Sequence, residues 1–258
     1  MSILKQLVFT PRCLICTRLG DNFCLSCLEK IRPFRARKLS EIEGCFCAGD
    51  YSGWLRDSVI CYKNGDARYT KLLAQVLGRT LDRLDVIRNL TLIPVPSSQQ
   101  KIIERGFDSI ANLCTNMIRE RESLTLDTSN LFLRRSVVDQ VGLTALQRQE
   151  NLDGAFGTRR VISGTVVIVD DVITAGTAVR ESVDLIKKSG AQPVAVLLAL
   201  DRQERGAGDH SAVQEVEQQF GLRCVSLLTL ADLIASDLPA EQRAALEAYR
   251  ARYGIKAA

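Results

Sequence analysis

Two adjacent aspartates, Asp170 and Asp171, end an apolar run at Thr165 to Val169 and open a short polar loop that runs through Thr174, Ala175, Gly176, Thr177 and Ala178. A run such as TVVIV is a buried strand of a parallel sheet, and carboxyl ends of such strands are where open α/β sheets bind ligands. The next segment, Val179 to Ser189, is amphipathic and stops at Gly190, so a helix begins where the loop ends. Unpaired N–H groups and the positive end of the helix dipole favour phosphate at such a start. Gly176 lets backbone approach the anion closely. The two acids cannot hold a phosphate directly. They can accept hydrogen bonds from sugar hydroxyls or hold Mg²⁺ through water. An ordinary strand–turn–helix with an acidic tip does not need strand, acids and a Thr-Ala-Gly-Thr loop together. The combination suits a phosphate held at the helix start with sugar hydroxyls or Mg²⁺ at the acids.

A second constellation is Cys13-x2-Cys16-x7-Cys24-x2-Cys27. Two CxxC knuckles supply four thiolates, the tetrahedral set for structural Zn²⁺. So short a segment has no core, and metal binding would supply its folding free energy. A closed four-cysteine site leaves no open position for catalysis. A redox dithiol is the competing reading of CxxC. Cys45 and Cys47 lie nearby, and at least one is expected to be plain core. Nine cysteines, four of them packed into the first segment, indicate metal chelation in a reducing cytoplasm rather than a disulfide framework.

The remaining pattern must position these residues. Gly44 to Tyr51 reads as a strand, and Trp54 to Leu84 as helix broken at Gly65-Asp66. Leu90 to Val95 is a buried strand closed by Pro94 and Pro96, and Ile110 to Met117 is a helix. Leu131 to Leu133 is a strand, and Val137 to Arg148 a long mobile loop without clean periodicity. Val194 to Leu200 and Cys224 to Leu228 are further strands, with a helix at Ala212 to Phe220 between them. Leu230 to Ala235 is a short helix. The last helix is capped by Asp237, has Pro239 near its first turn and ends at Gly254. Strands alternating with helices make a parallel sheet covered on both faces. The chain divides into a zinc module at 1–35 and an α/β domain at 44–258, with a helical extension at 237–255. Its 258 residues, 46% of them hydrophobic, suffice for such a core. The net charge of +4 is mild. The basic run Lys30 to Lys38 is either a solvated linker or a nucleic-acid contact. No apolar run reaches the roughly 18 residues of a membrane span, and no signal peptide is legible.

The VVIVDDVITAGTA segment resembles the phosphoribosyl pyrophosphate (PRPP) signature of type I phosphoribosyltransferases. The resemblance implies that Asp170 and Asp171 bind the ribose diol, with Mg²⁺, and that Thr174, Ala175, Gly176, Thr177 and Ala178 bind the 5-phosphate. Over about residues 10 to 160 the chain resembles the ComF family, associated with DNA uptake and competence. The matching segments are CLIC…CLSC, YSGWLRDSVICYKNGD, IPVPSSQQKIIERGFDSIANL and RRSVVDQVGLTALQRQENLDGAF. From about Val169 to Ile255 it resembles orotate phosphoribosyltransferase, in VDDVITAGTAVRESVDLIKKSGA, LLALDRQERGAGDHSAVQEVE and EAYRARYGI.

By these resemblances Arg105, in Arg-Gly-Phe, grips pyrophosphate beside the catalytic Asp170 and Asp171, although Asp108 stands where relatives often have Asn. Otherwise Arg105 is a helix-start residue with a solvent partner. Arg134, Arg135, Gln140 and Arg148 lie on or beside a hood loop that closes over the leaving group, or else on a solvated loop. Thr174 and Arg202 become base contacts. The leading expectation is a cytoplasmic, ComF-like PRPP-binding glycosyltransferase with an unread nucleophile. Candidate partners are DNA, a competence-machinery protein or a second copy of the chain as a homodimer. The alternatives are orotate phosphoribosyltransferase and a non-catalytic competence factor. Little orotidine phosphate is expected, because no lysine lies between Lys101 and Lys187.

Overall fold

The computed structural model describes residues 11–29, 34–35, 46–47, 53–82, 89–138, 145–173, 176–206, 208–226, 229–235 and 238–255. The cysteine segment holds one helical turn, α1 (Leu25–Leu28). A small antiparallel pair follows, β1 (Phe34–Arg35) with β2 (Phe46–Cys47). The latter is the described part of the strand expected from Gly44 to Tyr51. Helices α2 (Gly53–Lys63) and α3 (Thr70–Leu81) are separated at Gly65-Asp66, as the sequence indicates. The Asp66 side chain caps a single 3-10 turn there by accepting from the Arg68 N–H.

The main sheet contains β3 (Leu90–Pro94), β4 (Leu124–Leu126), β7 (Thr165–Ile173), β8 (Gln192–Asp201) and β9 (Arg223–Ser226). Its order is β4-β3-β7-β8-β9, and every pairing is parallel. Successive β7 side chains point to opposite faces, as strand geometry requires. Val167 and Val169 join α2, α3, α5 (Ser109–Ile118) and α9 (Leu230–Ala235) in one core. Val166 and Ile168 join α7 (Thr177–Lys188) and α8 (Ala212–Phe220) in the other. The doubly covered parallel sheet is the expected fold class.

Outside the sheet, β5 (Leu131–Leu133) and β6 (Phe156–Thr158) form an antiparallel ribbon. Between them lies α6 (Ala145–Leu152). The sequence reading of Val137 to Arg148 as loop is corrected at its end, because 145–148 are helical. The helix was hidden because it is polar, and among its described side chains only Leu152 is buried. The sequence reading also missed β1, β6 and the single turn α1, and two further elements besides. One is the three-residue edge strand β4. The other is α4 (Gln99–Arg105), whose N-cap Ser98 accepts from the Lys101 N–H. At the chain end, α10 (Ala240–Tyr253) begins after Pro239 and stops at Gly254. The expected cap, Asp237, lies outside the described residues. No helix among the described residues is long and apolar enough to cross a membrane.

Candidate active site

The strand order reverses between β3 and β7, and open α/β sheets bind ligands at such a point, beyond the carboxyl ends of the strands. β3 pairs with β7 only to Pro94 and Val169, whereas β7 stays paired with β8 through Ile173 and Asp201. The last contact on the β3 side is Val95 N–H to the Val169 carbonyl, 2.8 Å. Asp170 and Asp171 therefore have a neighbour on one side only. Asp170 Oδ1 accepts from the Asp171 N–H at 2.7 Å. Burial, reinforced by the charge of Asp171, pushes the Asp170 carboxyl up to about 8, against the opposing pull of that N–H, Lys101 and Lys63.

Cations gather opposite the acids. Arg105, the last residue of α4 rather than a helix start, brings Nη1 to 3.7 Å from Asp171 Oδ2 and donates to Ser109 Oγ at 2.9 Å. Gly106 ends that helix in the left-handed region, φ 79°. Asp108, which as a free carboxylate would repel pyrophosphate, caps α5. Its Oδ1 accepts from Ile110 and Ala111 N–H, both at 3.1 Å. Lys63 ends α2. Burial lowers its pKa, while Asp171 and Asp170 pull it up and Arg105 and Arg202 oppose them. The turn after it is pressed onto α4, since a Cβ on Gly65 (φ +95°) would lie 3.0 Å from the Arg105 carbonyl oxygen. The sequence reading singles out neither Lys63 nor Lys101. The only signal was the Lys-Asn-Gly turn.

In the loop expected to hold phosphate, Thr174 and Ala175 lie outside the described residues. Gly176 caps α7 at φ 73°, with Thr177 and Ala178 half-buried in the first turn. A Cβ on Gly176 would meet Arg180 Nη2 at 3.3 Å and Ala212 at 3.4 Å. Gly176→Ala is therefore expected to cost about 1–2 kcal/mol from left-handed strain. That lowers Tm by about 2–4 °C per kcal/mol, measurable by calorimetry. An unchanged Tm would contradict the cap geometry.

Arg202, just beyond β8, has Nη1 3.2 Å from Glu204 Oε1, and its charge acts on Lys63. The arginines expected to lie on a hood loop are placed differently from one another. Arg134 packs against Gly157, leaving no room there for a side chain. Arg135 donates to the Asp153 and Glu150 carbonyls at 2.8 and 3.4 Å, so its guanidinium caps the end of α6. Gln140 and the side chain of Arg148 lie outside the described residues. Asn151 ties α6 back to the segment after β5, exchanging hydrogen bonds of 3.0 and 2.8 Å with the Val138 backbone.

The sulfurs of Cys13, Cys16, Cys24 and Cys27 all lie within 4.8 Å of one another. Cys16 and Cys24 are 3.6 Å apart. A tetrahedral ion with Zn–S near 2.3 Å implies sulfur spacings of about 3.8 Å, so the donor set and its size fit zinc. Leu14, Ile15 and Phe23 pack this segment onto the main core, Phe23 with its ring 6.1 Å from that of Tyr69.

Comparison with known proteins agrees with this architecture. The phosphoribosyl transferase domain family matches residues 132–223. The chain is 55% identical over 100 residues to an orotate phosphoribosyltransferase of Thioalkalivibrio sulfidiphilus, covering 36% of this chain and 46% of that one. It is 54% identical over 113 residues to that of Edwardsiella ictaluri, covering 42% and 53%. The chain thus spans about half the length of these curated relatives. The solved orotate phosphoribosyltransferase of Francisella tularensis superposes with a TM-score of 0.50 at 19% identity, covering 87% of this chain and 93% of that one. The fold of the chain is that of the type I phosphoribosyltransferases, with a four-cysteine cluster at its N-terminal end.

Proposed function

We propose that the chain is a phosphoribosyltransferase that takes PRPP and joins C1 of its ribose to a ring nitrogen of orotate. The observation that carries this is the acid pair Asp170-Asp171 at the switch point, beside Arg105 and ahead of the Gly176 helix start. In the reaction a nitrogen–C1 bond forms and the C1–oxygen bond to pyrophosphate breaks, and the electron pair leaves with pyrophosphate. Asp170 and Asp171 orient the ribose hydroxyls. Thr177 and Ala178 N–H groups, with the dipole of α7, hold the 5-phosphate. Arg105, Lys63 and Lys101 meet the charge that develops on the leaving group. The adjacent carboxylates suit Mg²⁺, which when bound neutralises pyrophosphate charge.

Orotate is the acceptor favoured by the relatives at 55% and 54% identity. The competence-factor resemblance of residues 10–160 finds no support in them. The basic run Lys30 to Lys38 is described only at 34–35, so no argument for DNA follows from it. The expectation of little orotidine phosphate rested on lysines absent between Lys101 and Lys187. The chain has no lysine, and no histidine, in that span, and the two lysines that act on the acids, Lys101 and Lys63, come from α4 and α2. The deciding assay is pyrophosphate release from Mg-PRPP with orotate, uracil, adenine, guanine or hypoxanthine supplied singly. Release that depends on orotate supports the reading, and release with another base alone replaces the acceptor. Failure to bind Mg-PRPP removes the reading altogether.

We also propose that Cys13, Cys16, Cys24 and Cys27 hold one structural Zn²⁺, a state suited to a reducing cytoplasm. Protein purified without added metal is expected to carry about one zinc per chain by metal analysis. Reduced protein free of zinc would refute this.

A further inference from the structure

We infer that the C-terminal helix is part of the acceptor site, with Tyr249 and Glu204 acting as positioning residues for Arg202. The inference rests on the reading of Arg202 as an acceptor contact. Arginine has a long side chain that loses considerable rotamer entropy when fixed, and that of Arg202 is 36% exposed. Two contacts nevertheless set its direction. Its Nη1 lies 3.2 Å from the buried Glu204 carboxylate. Its guanidinium carbon stands 5.3 Å from the centroid of the Tyr249 ring, within cation–π range. The Tyr249 hydroxyl donates to the same Glu204 oxygen that Arg202 approaches. One oxygen and one ring thus lock three side chains together.

The backbone ties the same place to the chain end. Glu204 bridges to Gly254, Arg205 N–H donates to the Tyr253 carbonyl at 2.8 Å, and Arg205 Nη2 donates to the Gly254 carbonyl at 3.2 Å. The Tyr253 ring lies 4.7 Å from that of Tyr249. Helix α10 has no buried residue, and only Leu246 and Tyr249 of it pack on the main core. The 14-residue helix packs against α9, and its last turn meets the segment that follows Arg202. The charge of Arg202 acts on Lys63, on which Asp170 and Asp171 also act. A guanidinium fixed there offers a directed fork to an acceptor bearing a carboxylate.

The test uses the full-length zinc-loaded protein with Tyr249→Phe, Tyr249→Ala and Glu204→Gln. Tyr249→Ala and Glu204→Gln are expected to raise KM for orotate about tenfold or more, the size of a lost charge-assisted hydrogen bond, while KM for PRPP stays at the wild-type value. Tyr249→Phe keeps the ring and falls between them and wild type. The second readout is the Nε–H signal of Arg202 in ¹⁵N-arginine-labelled protein, assigned with Arg202→Lys. It is expected to be dispersed in wild type and to move to the averaged position of a free arginine in Tyr249→Ala. An unmoved signal, or a matching rise in KM for PRPP, overturns the inference. If wild type consumes no orotate, the acceptor reading has failed, and the Arg202 signal alone still decides the positioning.

Discussion

The Asp170→Asn, Asp171→Asn double variant is expected to lose measurable affinity for Mg-PRPP, and Asp170→Asn alone to make the unliganded protein more heat-stable above neutral pH. Both follow from one placement. Asp170 lies inside β7, which runs on to Ile173 rather than giving way to a loop at the acids, just past the point where the pairing with β3 stops. Burial, with Asp171 beside it, raises its carboxyl to about 8 from an ordinary value of 3.8. A folded-state pKa above the unfolded one means that the folded chain holds the proton more tightly. The carboxyl therefore costs nothing below the unfolded value, and the cost grows as pH rises from about 4 to about 8. Asparagine keeps the shape and removes the charge. Tm should match wild type near pH 4 and exceed it at pH 8, by an amount on the order of several degrees. The same substitution removes the anionic acceptor that ribose hydroxyls and Mg²⁺ need. Calorimetric titration with Mg-PRPP reads the loss. Wild-type affinity in the double variant, or a lower Tm at pH 8 in Asp170→Asn, would show that these acids are not held at strain for a ligand.

Such strain is visible in sequence only when its causes are local. Thr165 to Gly176 carried its own case, because an apolar strand, two acids and a left-handed glycine are neighbours in the chain. The amphipathic α7 and the break at Gly65-Asp66 were legible for the same reason. Arg105 was found through the proline-closed strand before it, although its place at the end of α4 was not. What was not legible comes from distant contacts. Lys63 acts on the acids only because the β4-β3-β7-β8-β9 order sets β3 beside β7 and the turn at Gly65 is pressed onto the end of α4. Nothing in Leu124-Thr125-Leu126 marks an edge strand, since three residues give no alternation to read. Asp108 looked like a departure from a phosphate grip, and only the start of α5 shows that its carboxylate is spent as a cap. Arg135 was counted for charge near the leaving group, and the carbonyls at the end of α6 take its donors instead.

Lys63→Ala is expected to lower kcat/KM for PRPP about a hundredfold, the usual cost of removing one donor that meets developing negative charge. The fold should tolerate it. A cation at the end of α2 contributes only about 0.3–1 kcal/mol through the helix dipole, so Tm should stay within a few degrees. Burial lowers the pKa of Lys63, which makes its proton easier to lose in the free enzyme than that of an ordinary lysine. Wild-type kcat/KM should therefore begin to fall at a pH below the usual 10.5 of a lysine side chain. Lys63→Arg separates charge from geometry. A guanidinium stays protonated throughout, so this alkaline fall should disappear, while the wider planar fork cannot sit where a compact ammonium did, and the rate near pH 7 should recover only in part. Lys101 acts on Asp170 from α4 and provides the comparison within the same site. Lys101→Ala should lower the rate without moving the alkaline limb set by Lys63. The measurement is initial pyrophosphate release across pH at limiting Mg-PRPP. Wild-type kcat/KM in Lys63→Ala, or an unshifted alkaline limb in Lys63→Arg, would place the lysine outside the machinery and leave Arg105 as the group that meets the leaving charge.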